Sequence, residues 1–271
     1  MINRKTYVFA IALLFILSSM MLLPFSNTYN KMKRQIVIAI IDTEFNTKII
    51  EKHKVWKNKN EIPNNHIDDD NNGYIDDYYG WNFCNEKSQI WSNKNVLSHG
   101  DVVADSFWKE LKNFNRDINV MYLTAMNMEN TGNEKDIIKA VKYAEENGAT
   151  ICLLSSVSFT NSVMLENLIS RSNMKFVVPA GNYGMKLDNN FRCYPASYNY
   201  KNVITVGALD NDGKILDSSN YGSEYIDMFY NGITICEEQR YEGTSIASAR
   251  VAALIAGKKE NVLSVDPKSC K

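Results

Sequence analysis

Short apolar runs alternate with amphipathic segments along this chain. Residues 36–41 are six consecutive apolar residues, and shorter, mostly apolar runs occur at 151–154, 176–178 and 203–206. Runs of this kind are typical of strands covered on both faces in a parallel sheet. Small or polar residues follow several of these runs directly. Because ligands gather at the carboxyl ends of strands in open α/β sheets, those residues are candidates for a functional site.

Amphipathic helices are predicted between the apolar runs. The first is capped by Asn133 or Thr131 and ends near Gly148. The second covers residues 162–171, and a third follows Ser245 as a stretch of small apolar residues. The alternation of strands and helices predicts a layered α/β domain.

Length and charge limit the class of protein. A chain of 271 residues with 45% hydrophobic content can bury one sizeable core, and we predict a single folded domain over residues 31–271. The formal net charge is -1. Because this balance gives no basic footprint, nucleic acid is not expected as a partner.

An apolar segment of residues 7–23 lies near the N-terminus, with basic residues on both flanks. This pattern predicts a signal peptide or a short membrane anchor within residues 1–30, followed by a short linker. A cleavage site of the small-x-small kind is hard to find, which favours an uncleaved single-pass anchor over a secreted product. The flanking charges leave the orientation open.

The cysteines do not form a recognisable framework. Their spacing does not match a zinc site, and their odd number excludes complete pairing in disulfides. We expect buried or unreactive thiols, with one disulfide remaining an alternative. The cysteines are Cys84, Cys152, Cys193, Cys236 and Cys270.

Four polar residues lie in short stretches that suit nucleophilic catalysis. Asp42 closes the first apolar run, His99 precedes a glycine and an apolar helical pattern, and Ser245 begins the small-residue helix. A serine hydroxyl needs an imidazole to take its proton and a carboxylate to orient that imidazole. Asn182 in Ala-Gly-Asn could donate its amide to a developing oxyanion. Individually, each also has an ordinary interpretation as a strand end, surface histidine, helix cap or turn residue.

At these residues the sequence resembles the subtilisin-like serine proteases, the subtilases, from about Gln35 to Ala256. The order aspartate, histidine, serine is that of subtilisin. Further similar strings follow in the family's order at residues 67–77, 80–83, 177–182, 194–198, 202–208 and 219–222.

The resemblance implies a three-layer αβα fold with a mostly parallel central sheet, shortened at the C-terminus. It also implies a serine endopeptidase acting on peptide or protein substrates. In that enzyme Ser245 would be the nucleophile, His99 the general base, Asp42 its orienting carboxylate and Asn182 an oxyanion donor.

One acidic stretch matches the first nine positions of an EF-hand calcium loop, with glycine at the sixth position and Tyr79 where a bidentate acid would stand. It predicts a structural Ca²⁺ site, against the alternative of a solvated acidic turn. No cofactor is expected for catalysis. The candidate ligands are Asp68, Asp70, Asn72, Tyr74 and Asp76.

The chain departs from the usual subtilase pattern around the candidate residues. Glu44 stands where the family has glycine, Asp101 replaces threonine, and Ala249-Arg250 replaces Pro-His. Val157 stands where a glycine lines the primary specificity pocket, which is expected to narrow substrate access.

These observations favour a dedicated processing protease at the cell membrane. The resemblance to subtilases implies that its catalytic domain lies outside the cytoplasm. The short stretch between the apolar segment and the first strand leaves little room for an inhibitory propeptide, which supports a processing role. Two other hypotheses remain: a catalytically impaired subtilase-like protein that binds peptides, and a membrane-tethered calcium-binding module.

Overall fold

The computed structural model describes residues 36–92, 96–114 and 116–257, with the side chains of Ile49 and Ile50 excluded. Within these ranges, no helix combines the length and apolar character that a membrane crossing requires. The apolar segment predicted at residues 7–23 lies outside the described residues, as does Cys270.

A six-stranded sheet forms the centre of the domain, in the order β4-β1-β5-β6-β7-β8 with every neighbouring pair parallel. Two smaller pairs lie beside it, β2-β3 parallel and β9-β10 antiparallel. The strands are β1 (Ile36–Asp42), β2 (Phe45–Asn46), β3 (Trp91–Ser92), β4 (Ile118–Thr124), β5 (Ile151–Leu154), β6 (Lys175–Pro179), β7 (Val203–Leu209), β8 (Met228–Asn231), β9 (Ile233–Cys236) and β10 (Gln239–Glu242).

Five helices are described in these ranges, and four of them begin at a side-chain cap. Asn46, Ser98, Asn133 and Ser162 each accept a hydrogen bond from a backbone N–H of the first turn. Of the two caps considered for the first predicted helix, the structure uses Asn133. The helices are α1 (Thr47–Ile50), α2 (His99–Leu111), α3 (Glu134–Glu146), α4 (Val163–Arg171) and α5 (Thr244–Gly257).

Side chains of the central strands alternate between two apolar layers. In β1, Ile38 and Ile40 pack with α2 and α5 on one face, whereas Ala39 and Ile41 pack with α3 and α4 on the other. Helix α5 is buried on nearly every side, which explains its small residues. The predicted three-layer αβα architecture is confirmed.

The described cysteines are unbridged, and Cys152 and Cys193 are buried. Burial raises the pKa of Cys84, Cys193 and Cys236 to about 11. Thiols with such pKa values are protonated near neutral pH and therefore weakly nucleophilic. The expectation of unreactive thiols is met for these residues.

Candidate active site

The carboxyl end of β1 brings Asp42 into contact with His99 at the start of α2. The Nδ1 of His99 lies 2.7 Å from Oδ1 of Asp42, and the Thr43 N–H donates to the same oxygen at 2.7 Å. Asp42 is fully buried, while the His99 side chain remains 29% exposed. A buried carboxylate paired this way orients the ring and leaves its other nitrogen available for proton transfer.

The charge of Asp42 controls the proton affinity of His99. Burial of the ring opposes protonation, but the charge of Asp42 and the hydrogen bond to it outweigh burial, so the pKa of His99 is raised. The imidazolium formed when a base takes a proton is therefore stabilised by this contact.

Asp101 fixes the first turn of α2. Its carboxylate accepts hydrogen bonds from the Ser98 N–H at 2.8 Å and the Asn46 N–H at 2.5 Å, while Ser98 Oγ accepts from the Asp101 N–H at 3.0 Å. This is a capping box extended to a second segment of chain. It ties the helix that carries His99 to the loop that follows Asp42.

Gly100 permits the start of α2 to pack closely against the loop that follows Asp42. A Cβ at this position would lie 2.9 Å from the Thr43 carbonyl oxygen and 3.0 Å from the Phe45 ring. The Gly100 N–H also donates to Thr43 Oγ1 at 2.9 Å. Thr43 is thus a positioning residue that sequence reasoning missed, and its place directly after Asp42 was the available signal.

Replacing Asp101 with asparagine is expected to lower the free energy of unfolding by about 1–3 kcal/mol. The amide keeps one acceptor oxygen, so its NH₂ group would face one of the two backbone N–H groups that the carboxylate now accepts. Burying a neutral group in place of a charge offsets only part of this loss. Urea unfolding near pH 7 measures the difference.

An exposed ion pair provides the control. Asp117, whose side chain is 61% exposed, pairs with Lys54, so Asp117→Asn should cost no more than about 0.5 kcal/mol. Equal destabilisation by the two variants would contradict the role assigned to Asp101.

Asn182 is held beside the start of α5. Its Oδ1 accepts hydrogen bonds from the Thr244 N–H and hydroxyl, both at 2.9 Å, which leaves its NH₂ group as the donor. Gly243 has φ of +149°, and a Cβ there would approach Asn182 Nδ2 to 3.1 Å. Glycine therefore lets the amide lie against the chain that leads into Ser245, and Thr244 is a second positioning residue missed from sequence.

One cleft of about 760 Å³ brings His99, Asn182 and Ser245 together. Ser245 lies at the beginning of α5, where unpaired N–H groups and the helix dipole favour negative charge. The side chains of the loops after β5 and β6 supply the opposing walls, including Ser155, Val157 and Tyr183. The arrangement provides a base, a hydroxyl and an amide donor around a space large enough for a peptide segment.

Comparison with known proteins identifies the family, because the model of the Subtilase family matches residues 33–271. The chain belongs to the subtilase family. It is 34% identical over 146 residues to the Thermophilic serine proteinase of Bacillus sp. (strain AK1), covering 51% of this chain and 35% of that protein. It is 26% identical over 246 residues to Subtilisin-like protease 1 of Plasmodium berghei (strain Anka), covering 80% of this chain and 40% of that protein. The chain thus spans 35% to 40% of the length of these relatives.

Solved structures show the same fold. The crystal structure of a lanthipeptide protease superposes with a TM-score of 0.61 at 19% identity, covering 86% of this chain and 76% of that one. The crystal structure of a cold adapted subtilisin-like serine proteinase gives a TM-score of 0.57 at 16% identity, covering 87% of this chain and 79% of that one.

The departures from the subtilase pattern make specific contacts in this structure. Arg250, on α5, donates to the carbonyl oxygens of Asn231 at 3.2 Å and Ile233 at 2.8 Å, and also to Asn231 Oδ1. It therefore fastens the helix that carries Ser245 to the β8-β9 connection. Val157 lines the cleft and packs against an apolar cluster that includes Ala180.

The acidic stretch forms a compact loop outside the cleft. Glu61, Asp70 and Asp77 place one carboxylate oxygen each within 4.8 Å of one another. Glu61 and Asp77 are buried, and burial raises the pKa of both carboxyl groups. Buried carboxylates that face each other are costly without a cation, and hard oxygen donors suit Ca²⁺. These three residues therefore fit a calcium ion.

Among the predicted acidic ligands, Asp70 belongs to this cluster, and the predicted ligand Asn72 contacts it by donating from its NH₂ group to Asp77 at 2.9 Å. The Asp68 carboxylate accepts hydrogen bonds from the Asn72 and Gly73 N–H groups, and Asp76 accepts from the backbone of residues 65 and 66. Asn72 Oδ1 accepts from the Tyr74 N–H, and the Tyr74 ring packs on Trp81. Glu61 lies outside the EF-hand register, so spacing could not identify it.

Proposed function

We propose that this chain is a serine endopeptidase in which Ser245, His99 and Asp42 act together on a peptide bond. The observation that carries the proposal is the 2.7 Å contact between His99 Nδ1 and Asp42 Oδ1 beside a cleft that also contains Ser245 and Asn182. Family membership supports the same chemistry.

In the proposed reaction, the Ser245 hydroxyl attacks the carbonyl carbon of the scissile bond while His99 accepts its proton. The negative charge of Asp42 stabilises the resulting imidazolium. The Asn182 NH₂ group donates to the oxyanion of the tetrahedral intermediate, since Thr244 occupies its oxygen. His99 then returns the proton to the leaving amine, and water repeats the sequence on the acyl-enzyme.

A fluorophosphonate reagent distinguishes this enzyme from a subtilase-like protein that only binds peptides. We expect one adduct per molecule, located at Ser245 by mass spectrometry, in folded protein but not in urea. A folded protein that takes up no reagent, or reacts at another serine, would exclude the proposed mechanism and favour the binding protein.

We further propose that the protein processes a restricted set of secreted or surface substrates. Val157 in the cleft wall and the pairing of Ser158 with Tyr194, with N–H to O distances of 2.8 Å in both directions, support a defined rather than open binding site. The apolar segment of residues 7–23 supports a membrane anchor. The placement of the catalytic domain outside the cytoplasm is proposed from the family resemblance. Alkaline extraction of membranes tests the anchor, because a spanning segment resists it and a cleaved one leaves a soluble protein.

A structural calcium ion is proposed at Glu61, Asp70 and Asp77. When bound, the ion would neutralise their mutual repulsion and join the segment at Glu61 to the acidic loop. Tyr143, on α3, donates its hydroxyl to Asp77 at 2.6 Å, so the same carboxylate also contacts the helical layer. The ion is assigned a role in stability and none in the catalytic steps.

Removing calcium with EGTA is expected to lower Tm by roughly 5–10 °C. This corresponds to about 3 kcal/mol of linkage at a calcium concentration 100-fold above Kd. Differential scanning calorimetry with EGTA and with calcium at about 1 mM, roughly a hundredfold below the ionic strength of a typical salt buffer, makes the measurement.

Two aspartate variants separate the alternative ligand sets. Asp77→Asn should abolish the calcium-dependent rise in Tm, whereas Asp68→Asn should retain it, because the Asp68 carboxylate is bonded to the loop backbone. The opposite pattern would assign the ion to the EF-hand-like set, and identical melting with and without calcium would exclude a bound ion.

A further inference from the structure

A fully buried asparagine lies beside the loop that follows β6. Asn220 uses both ends of its side-chain amide there. Its Oδ1 accepts hydrogen bonds from the N–H groups of Tyr183 at 3.2 Å and Met185 at 3.0 Å. Its NH₂ group donates to the Ala180 carbonyl oxygen at 2.8 Å and to Cys193 Sγ at 3.6 Å. An asparagine amide offers two donors and one oxygen with two lone pairs, so these four contacts use its full capacity.

The contacts of Asn220 lie on both sides of Asn182. The backbone N–H of Asn220 also donates to the Gly181 carbonyl oxygen at 2.9 Å. Asn220 therefore holds the chain at residues 180 and 181, before Asn182, and at residues 183 and 185, after it. One buried residue thus supports the backbone from which the proposed oxyanion donor projects.

Gly181 makes room for the amide of Asn220. It has φ of +98°, and a Cβ there would lie 2.6 Å from Asn220 Nδ2. A side chain at residue 181 would therefore strain the backbone and also displace the asparagine. The glycine that precedes Asn182 and the buried asparagine behind it are required together.

Asn220 is itself fixed to the central sheet. Its buried neighbour Ser219 accepts a hydrogen bond from the Ala208 N–H of β7 at 3.0 Å and donates its hydroxyl to the Asn220 carbonyl oxygen at 2.8 Å. The amide of Asn182 is therefore placed by the sheet, through Asn220, as well as by Thr244 at the start of α5.

Accurate placement matters for an oxyanion donor. Such a group contributes only when it lies at hydrogen-bond distance from the oxygen that becomes charged, and the loss of one donor lowers kcat by about 10²- to 10³-fold. A displacement of about 1 Å can lower the rate about 100-fold even when the group remains. Because Asn182 is exposed, side-chain packing around it cannot supply this accuracy, and the hydrogen bonds beneath the loop must do so.

We propose that Asn220 is a positioning residue of the oxyanion site, holding the loop so that the NH₂ group of Asn182 points at the tetrahedral intermediate. Asn220 does not line the cleft, so it acts on the reaction only through Asn182. This inference rests on the proposed function, because it concerns the oxyanion donor of the same reaction.

Asn220→Ala in the intact protein tests the assignment. We expect kcat to fall about 10- to 100-fold while KM changes less than about 3-fold, because a misplaced oxyanion donor weakens the transition state and not substrate binding. The rate of fluorophosphonate labelling at Ser245 should fall in parallel, since the phosphoryl oxygen takes the place of the oxyanion. Asn220→Ser, whose hydroxyl can keep one contact with the loop, is measured with the same expectation if the alanine variant does not fold.

A double-mutant cycle separates positioning from general destabilisation. If Asn220 acts through Asn182, adding Asn220→Ala to Asn182→Ala should lower kcat by no more than about 3-fold further. A loss of the same size in both backgrounds would overturn the inference, as would a raised KM with unchanged kcat.

Asn202→Ala is the matched control. The NH₂ group of Asn202 donates to the carbonyl oxygens of Ile169 at 2.7 Å, Ser172 at 3.2 Å and Met174 at 3.4 Å, and Asn202 does not line the cleft. The control variant should lower Tm but keep kcat within about 2-fold of the native value. Equal losses of kcat in the two alanine variants would assign the effect to stability and overturn the positioning role.

Fluorophosphonate labelling of the native protein distinguishes the two levels of the proposal. A native protein that is labelled at Ser245, with an unchanged rate in Asn220→Ala, would overturn the positioning role alone. A folded native protein that takes up no reagent would overturn the proposed function and the positioning role with it.

Discussion

Replacing Ser245 with alanine is expected to reduce kcat by about 10⁶-fold, the size of the effect measured for the nucleophile of subtilisin, a member of the same family. The substitution removes the only hydroxyl proposed to attack the substrate, while the cleft, Asn182 and the helix N-terminus remain. The residual rate therefore reports binding and oxyanion stabilisation alone. Hydrolysis of a chromogenic peptide, with the concentration of each folded protein measured by absorbance, gives the loss.

Ser248 gives the matched control for this variant. It lies one turn further along α5, is buried, and donates its hydroxyl to the Thr244 carbonyl oxygen at 2.8 Å. Ser248→Ala should therefore keep near-normal turnover. Because groups that act as a unit are not additive, adding Asp42→Asn to Ser245→Ala should cause little further loss. Substantial turnover by Ser245→Ala would contradict the assignment of the nucleophile.

The central strands could be predicted where their burial is visible in the sequence. β1, β5, β6 and β7 are covered by helices on both faces, so each contains a nearly continuous apolar run. β4 was not predicted because Asn119, Tyr122 and Thr124 interrupt its pattern. It is nevertheless buried at every residue. β4 pairs with β1 along its whole length, and Tyr122 accepts a hydrogen bond from Trp108 Nε1 at 2.8 Å.

The candidate catalytic residues could be located from local motifs, but the contacts that hold them could not. Asp101 reaches Asn46 across 55 positions of the chain, and Asn182 reaches Thr244 across 62. Such contacts depend on how strands and helices are brought together. For the same reason, Glu61 joins Asp70 and Asp77 only in the folded chain.

The departures at Asp101 and Arg250 have a common structural consequence. Each replaces a family residue by a charged side chain that binds backbone groups of another segment, one at the start of α2 and one on α5. These two helices carry His99 and Ser245. The altered residues therefore support the positions of the base and the hydroxyl, which favours an active protease over an impaired one.

Replacing Asp42 with asparagine is expected to reduce kcat by about 10⁴-fold, as in other proteases with this triad. The amide would no longer stabilise the imidazolium and would favour the wrong tautomer of His99. Asp210→Asn is the control, because the Asp210 carboxylate accepts only backbone N–H groups of a surface turn, those of residues 212 and 214.

The pH dependence of Asp42→Asn gives a second, directional test. In the native protein the charge of Asp42 and its hydrogen bond overcome burial and raise the pKa of His99, whereas in the variant burial alone remains and lowers it. Because the base acts only when deprotonated, the acid limb of the kcat/KM profile should move to lower pH in the variant.

The raised pKa of His99 should also make the free energy of unfolding depend on pH. A raised folded-state pKa means that protonated His99 stabilises the native fold below the ordinary imidazole pKa, and that this contribution disappears as pH rises through the folded-state value. The native protein should therefore lose this part of its stability on going from acidic to neutral pH, and Asp42→Asn should not. A variant whose acid limb stays in place, or whose kcat falls less than about 10-fold, would show that Asp42 does not control His99.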